Sequence, residues 1–372
     1  MVPELRWMKQ LSAFAVIIAF PATVFGQNAG KPAVRQSIVA ENVMRWQRSN
    51  GGWPKDTYVT LYNDMEAGTG NAPKKILVDY SKIAAKEEVA LAASSKEYED
   101  ATIDNGHTIK EIRLLLHAFK ETNNPEYLKA AKRGIDYLFA AQYNNGGWPM
   151  FYPDKRSYKS YITFNDNAMV NVLNLLLDIS RQLNDTEVLG EEYRTKAVES
   201  FDRGVAIILK LQLNVKGKPS VWCAQYDPIT LEPAKARSYE LPSLSGAESV
   251  DIVELLMRIE NPSMAVRQAI EHAVDWFKAA EIKGYRMEKI ADSTKASGRE
   301  LVLVPDKDAV LWARFYDLES NQPFFCDRDG KKKQSVFEIG NERRTGYSWY
   351  GSWALELISS KYTAWQNRHA RR

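Results

Sequence analysis

The sequence predicts an all-α fold, a toroid or barrel of helix pairs whose long loops line a substrate cleft. Three observations predict it: apolar residues recur at helical spacing in long windows, a helix-ending motif is repeated, and two long stretches resist helical assignment. The 372 residues are 45% hydrophobic and 26% charged. This composition is typical of a globular enzyme with a sizeable core rather than of a disordered chain.

Apolar periodicity predicts the positions of the helices. Ile109, Ile112 and Leu116 share one face of a helix, and Asn124-Pro125 marks the turn into the next one. Successive antiparallel helix pairs are therefore expected. The predicted windows are 35–48, 108–121, 126–142, 167–184, 189–212, 247–259, 263–280 and 348–365.

A repeated motif ends several of these helices. It reads QRSNGGWP from Gln47 and QYNNGGWP from Gln142, with a looser third copy from Gln212. Asn and Gly tolerate the left-handed conformation common at helix C-termini, and each copy then places a tryptophan, such as Trp148, to pack or to face a ligand. Repeats separated by about one helix pair favour a closed ring, although chance recurrence of a common stop signal is the alternative.

The N-terminal residues predict export. Arg6 and Lys9 precede an apolar stretch over residues 11–25, the pattern of a secretory signal peptide, here assigned to residues 1–26. An N-terminal membrane anchor is the less favoured alternative, because a spanning helix needs about 20 apolar residues. We expect a single catalytic domain over residues 34–365 that is secreted or periplasmic, with no membrane association after signal removal.

Charge and cysteine content limit the class of partner. The net charge of +3 comes from dispersed basic residues, whereas nucleic-acid binding usually needs a concentrated basic face, so no nucleic-acid partner is expected. Cys223 and Cys326 either form one disulfide in an oxidising compartment or remain buried thiols, and their spacing fits no zinc pattern. We expect a monomer.

Two long stretches, residues 213–245 and 283–345, resist helical assignment. Both are rich in Pro, Gly, Arg, Asp and aromatic residues. Loops of that length in a compact domain are usually functional. In a toroid they would line one mouth, where a long polysaccharide could lie.

Two acids stand at predicted helix starts. Asp104 and Asn105 come just before the helix that begins near Thr108, and Asp166 comes just before the helix that begins near Ala168. Either acid alone is most simply explained as an N-cap. Together, and flanked by amides, they also make an oxygen-ligand set suited to calcium, although neither segment resembles an EF-hand loop.

Arginines among aromatic residues form a further set of candidates. Arg237 is followed by Glu240, which is compatible with an ordinary surface ion pair. Arg314 follows a tryptophan, and Arg328 follows two phenylalanines. A guanidinium binds a carboxylate through two parallel hydrogen bonds while aromatic faces pack on sugar rings, so this composition suits recognition of acidic sugars.

Taken together, these segments resemble family 10 of the polysaccharide lyases, the pectate lyases. The resemblance covers roughly Val34 to Tyr362 and rests on the ordered motifs NGGWPK, TIDNGHT, NNGGWP, ITFNDNAM, VWCAQYDP, ARSYELPSLSGAES and FFCDRDG. It implies an α/α toroid and calcium-assisted β-elimination of α-1,4-polygalacturonate to 4,5-unsaturated oligogalacturonides.

The resemblance also implies roles for single residues. Asp104 and Asp166 would hold calcium (Ca²⁺) against the substrate carboxylate, and Arg237 would be the base. The expected substrate-binding residues are Asn105, Arg314, Arg328 and Trp148.

Two other functions remain open from the sequence. One is an inverting glycoside hydrolase in which Asp104 and Asp166 are the acid and base. The other is a non-catalytic polyuronate-binding protein. For the lyase, nearby cations and desolvation are expected to lower the pKa of Arg237, with activity rising into the alkaline range.

Overall fold

The computed structural model describes residues 32–55, 80–154 and 156–370. The predicted signal peptide lies outside these residues. Within them, no helix is both long and apolar enough to cross a membrane. Cys223 and Cys326 are both buried free thiols, which decides between the two alternatives for these cysteines.

The predicted helical windows are confirmed to within a few residues, except that the last one begins later. A helix without a predicted window, α2, is amphipathic only weakly because five of its nine residues are alanine, serine or valine. The helices are α1 (Pro32–Trp46), α2 (Lys86–Ser94), α3 (Ile109–Thr122), α4 (Pro125–Ala141), α5 (Ala168–Arg181), α6 (Glu191–Leu211), α7 (Glu248–Met257), α8 (Met264–Ala279), α9 (Asn341–Gly346) and α10 (Tyr362–Ala370).

The prediction of an all-α toroid is wrong in its fold class. Helix makes up 48% and strand 16%, in several small sheets, which makes the protein mixed α and β. Most strands are two-residue pairings that helical periodicity cannot reveal. They are β1 (Ile162–Thr163), β2 (Asn214–Val215), β3 (Lys218–Pro219), β4 (Gln225–Tyr226), β5 (Leu244–Ser245), β8 (Phe315–Tyr316), β9 (Phe325–Cys326), β10 (Lys332–Lys333) and β11 (Tyr350–Gly351).

The two remaining strands form a long antiparallel hairpin, β6 (Ile282–Ala291) and β7 (Arg299–Ala313). The sequence predicted an irregular loop over 283–345, and this segment is the largest departure from it. Near the hairpin tip, Ser297 donates to Asn341 at 2.8 Å and Arg344 pairs with Glu300 at 2.7 Å. The hairpin therefore supports α9, which carries part of the candidate site.

The repeated motif is a structural repeat, which excludes chance recurrence of a stop signal. In each copy the glutamine Nε2 donates to a carbonyl within its own loop and to one on the next helix pair, as Gln142 does to Gly146 at 3.0 Å and to Ser200 at 2.9 Å. Gln47 and Gln212 make the matching pairs of bonds. The glutamine thus joins neighbouring repeats.

The tryptophan of each repeat connects its loop to a helix through a hydrogen bond. The indole N–H donates to a backbone carbonyl in all cases, with N···O distances of 2.8 to 2.9 Å. A fourth member, Trp312, extends the repeat beyond the three copies that the sequence predicted. The four tryptophans are fully buried, and each contributes a large apolar area to the core: Trp53, Trp148, Trp222 and Trp312.

The same tryptophans position the residues that come just before the acids. The amides of Thr102, Thr163 and Ser245 donate to the carbonyls of the first three tryptophans. Two or three residues later the chain reaches Asp104, Asp166 and Glu248 respectively. Three acids therefore lie in corresponding turns of one repeat, at the N-terminal ends of α3, α5 and α7, although Asp104 stands one position earlier in its turn than the other two.

Gly146→Ala tests the repeat loop. Gly146 has φ +97°, and an added Cβ would lie 2.2 Å from the backbone oxygen of Arg203, so both the backbone conformation and its neighbour resist the change. We expect a loss of about 3 kcal/mol or more in the free energy of unfolding, measured by urea titration. Gly217 has φ +82° in the two-residue turn between β2 and β3, with nothing within 4 Å of the added Cβ, so Gly217→Ala should cost only about 1 kcal/mol. Equal losses would contradict the steric argument.

Candidate active site

Asp104 lies in a tight turn at the start of α3. It is 4% exposed, and its backbone N–H donates to the Thr102 hydroxyl oxygen at 3.0 Å. Asn105 follows with φ +50°, and its side-chain amide donates to Asp104 Oδ1 at 3.3 Å. Neither helix start shows a side-chain cap from these acids, so the N-cap explanation does not hold for them.

Asp166 lies in a second turn of the same shape at the start of α5. It takes the φ +50°, ψ 32° that Asn105 takes in the first turn, and the two turns pack against each other. Asn165 donates to Asp166 Oδ2 at 3.1 Å, and the Asp166 side chain reaches the surface. Desolvation raises the pKa of Asp166, and the negative charge of Asp104 raises it further. The two predicted calcium ligands therefore lie close enough to repel.

Glu248 and Arg314 form a buried ion pair beside these acids. Their side chains are 3% and 13% exposed, and the guanidinium also lies 5.1 Å from the ring centroid of Tyr347. Burial alone would lower the pKa of Arg314, but Glu248, Tyr347 and Asp166 outweigh it and leave that pKa raised. Arg314 is thus a permanent cation next to Asp166, and the structure brings these two predicted residues together.

Glu248→Ala tests this buried pair. Removing one partner leaves the other charge buried, so we expect a loss of about 3–5 kcal/mol in the free energy of unfolding. The matched control is Glu192→Ala, which breaks an ion pair with Lys196 in which Glu192 is 72% exposed and which should cost under about 1 kcal/mol. If both variants lost the same small amount, Glu248 would not be the charge partner that keeps Arg314 in place.

Arg237 is held by Glu240 and by two aromatic rings. Its Nε donates to Glu240 Oε2 at 2.7 Å, and its guanidinium carbon lies 5.0 Å from the Tyr239 centroid and 5.8 Å from that of Tyr347. The Tyr347 hydroxyl donates to Glu240 at 2.9 Å. The same Tyr347 also contacts Arg314, which lies beside Asp166. One tyrosine therefore lies between the predicted base and the part of the site that contains the acids.

The predicted lowering of the Arg237 pKa is wrong in direction for this structure. Hydrogen bonds with Glu240 raise the pKa of Arg237, and desolvation, which lowers it, is the smaller effect. Conversely, Arg237 holds the pKa of Glu240 below its usual value against the opposing effect of burial. The guanidinium is therefore firmly protonated while this ion pair exists.

Arg328 lies further out, on the exposed side of the same group of arginines. It is 64% exposed and pairs with Glu342 at 3.1 Å. Glu342 also pairs with Arg343, whose guanidinium stacks over Tyr239 at 4.2 Å. Arg328 therefore joins the Arg237 side of the site rather than the two acids, and Arg343 is a neighbour that the sequence analysis missed.

Trp148 does not belong to the site, and its prediction as a substrate-binding residue is corrected. The side chain is 0% exposed, and its indole N–H donates to Leu138 at 2.8 Å. A ring without exposed surface cannot contact a polysaccharide. The repeat motif offered packing and ligand contact as alternatives for Trp148, and packing is the one observed.

Lys55 and Glu248 are site residues that sequence reasoning did not select. Lys55 Nζ lies 2.5 Å from Asp104 Oδ2, and its charge lowers the pKa of Asp166. A signal for Lys55 existed in the repeat, because Lys55 stands two residues after Trp53, as Arg314 does after Trp312. That correspondence becomes visible only once the fourth tryptophan is known.

The oxygen donors at Asp104 and Asp166 fit a hard cation such as calcium. The repulsion that raises the pKa of Asp166 is the electrostatic condition that a bound cation would relieve. Among residues 32–55, 80–154 and 156–370, no group of three or more His, Cys, Asp or Glu could hold a metal. Calcium would therefore need further oxygen ligands from water or from an acidic substrate.

Carboxylates at three helix starts lie beside a buried arginine and two further arginines, an arrangement of charge suited to an acidic ligand. A family model of pectic acid lyases matches residues 47–358. This chain belongs to the pectic acid lyase family and is a polysaccharide lyase.

Solved structures agree with this assignment. A family 10 polysaccharide lyase from Cellvibrio cellulosa has a TM-score of 0.73 and 33% sequence identity over 90% of this chain and 93% of its own. An aspartate-to-alanine mutant of that family, in complex with trigalacturonic acid, gives the same values. A comparison with curated proteins finds no match.

Proposed function

We propose that this protein cleaves polygalacturonate by calcium-assisted β-elimination and releases 4,5-unsaturated oligogalacturonides. The observation that carries the proposal is the position of Asp104 and Asp166 at adjoining helix starts with Arg314 beside them, and of Arg237 next to Arg314 across Tyr347. The trigalacturonic acid bound by a structural relative supports an acidic polysaccharide as substrate. Export to the periplasm or beyond is proposed with it, on the signal-like segment.

The chemistry accounts for the residue types. The C5 proton of a uronic acid is α to a carboxylate, and it becomes acidic only when the charge that develops on that carboxylate is neutralised. Arg314 supplies a preorganised positive charge in a poorly hydrated position, where such charges act most strongly. A calcium ion held by Asp104 and Asp166 would add Lewis-acid polarisation of the same carboxylate.

Arg237 is the proposed base that takes the C5 proton, and Glu240 controls its availability. A guanidinium is protonated at neutral pH, and Glu240 makes the Arg237 cation still more stable. Proton abstraction therefore requires that the neutral form of Arg237 be populated, and the rate should rise with pH. The oxygen on C4 then leaves, and water is not a reactant.

The test uses polygalacturonate with and without a calcium chelator. The proposal expects an ultraviolet band from the 4,5-unsaturated product, and loss of that band in excess chelator. Saturated products that form without metal would instead identify the hydrolase in which Asp104 and Asp166 are acid and base. Polyuronate binding without any product, unchanged by Arg237→Ala, would identify a binding protein.

A further inference from the structure

Lys55 has the same place in the repeat as Arg314. Each stands two residues after a buried tryptophan whose indole donates to a helix carbonyl, Trp53 to Val43 at 2.8 Å and Trp312 to Phe277 at 2.9 Å. Each pairs with an acid at a helix start, Lys55 with Asp104 and Arg314 with Glu248.

The fold itself does not require a cation at this point of the repeat. The two intervening tryptophans, Trp148 and Trp222, are followed at the same spacing by Met150 and Ala224. Met150 is 3% exposed and forms part of the core. Since an apolar residue serves the repeat equally well, the lysine calls for an explanation beyond packing.

The Lys55 side chain is partly exposed and has more hydrogen-bond donors than its contact with Asp104 uses. Its side chain is 32% exposed, whereas that of Asp104 is 5% exposed. An ammonium group has three donors, and within the described part of the chain Asp104 is the one acceptor that Lys55 contacts. The Lys55 side chain therefore keeps exposed surface beside Asp104.

We propose that Lys55 binds a carboxylate of the polygalacturonate chain and is a specificity-determining residue for unesterified uronate, a role that rests on the proposed function. Lys55 pairs with Asp104 and Arg314 pairs with Glu248, and both charges act on Asp166. Two separate cations near the acids suit a polymer that carries one carboxylate per sugar. A methyl ester removes the charge that Lys55 contacts.

The test measures binding without turnover. All proteins carry Arg237→Ala, and their affinity for trigalacturonate is measured by isothermal titration calorimetry in excess chelator. The protein with native Lys55 is compared with Lys55→Met and Lys55→Arg. We expect Lys55→Met to weaken binding about tenfold and Lys55→Arg to restore most of it. The methyl ester of the same trimer should bind with equal affinity to the protein with native Lys55 and to Lys55→Met. Lys129→Met, on the exposed start of α4, is the charge-matched control and should change nothing.

The outcomes separate this inference from the proposed function. If the Arg237→Ala protein binds trigalacturonate neither in chelator nor when calcium is supplied, the proposed substrate fails. If it binds and Lys55→Met binds as tightly, the inference fails alone. A lowered thermal midpoint in Lys55→Met with unchanged affinity would assign Lys55 to neutralising Asp104 and would likewise overturn the substrate role.

Discussion

Asp166→Ala is expected to lower kcat/KM on polygalacturonate by roughly 10³-fold, at the upper end of what one preorganised electrostatic group supplies. Asp166 and Asp104 are adjacent carboxylates whose mutual repulsion raises the pKa of Asp166 beyond the effect of burial. Removing the Asp166 carboxylate ends this repulsion and also removes one of the two proposed protein ligands of calcium. Initial rates over a calcium series, with absorbance detection, measure the effect.

Calcium binding itself provides a readout that does not depend on turnover. Titration calorimetry of calcium in the presence of trigalacturonate should show weaker binding to Asp166→Ala than to the native protein. Asp202→Ala, an exposed position on α6, is the matched control and should leave both activity and calcium binding unchanged. Native calcium affinity in Asp166→Ala would remove Asp166 from the ligand set.

Replacing Arg237 by alanine is the second change with a large expected effect, a loss of roughly 10²–10⁴-fold in kcat, the range of general base catalysis. The pH profile gives the sharper test. Glu240 raises the pKa of Arg237, so Glu240→Gln should lower that pKa. Below that pKa the neutral form increases tenfold per pH unit, and the rising limb of the rate profile should move to lower pH.

Glu342→Gln is the control for the pH profile. It removes the partner that raises the pKa of Arg328, an exposed arginine that is not the proposed base. This variant should leave the position of the rising limb unchanged. A limb that stays in place in Glu240→Gln as well, or an optimum at acidic pH in the native protein, would show that Arg237 is not the base.

Local patterns accounted for the helices and for the acids. Helical periodicity depends on which residues face the core, so the windows from α3 to α8 end within a few residues of the observed helices. The turns before α3 and α5 were visible as Asp and Asn next to Gly or Asn, residue types that accept the left-handed backbone seen at Asn105 and Asp166. Periodicity fails for two-residue strands, because two residues carry no period.

The β6–β7 hairpin shows a different reason for failure. Its register pairs Met287 with Leu303 and Lys289 with Leu301, and much of both strands is exposed, with Leu303 44% exposed. Alternation between an apolar and a polar face is therefore weak, and Pro305 together with a run of charges reads as loop. Only the pairing across the hairpin decides that this segment is strand.

The sequence by itself determined the helices, the family resemblance and the list of acids and arginines, because those depend on residue type and short-range spacing. Tertiary structure alone decided that Trp148 belongs to the core and that Lys55 and Glu248 lie beside Asp104 and Asp166. It also decided that Glu240 raises the pKa of Arg237. Burial and ion pairing arise between segments tens to hundreds of residues apart. The residue types show which charged groups the protein has, but only the folded structure shows which of them form pairs.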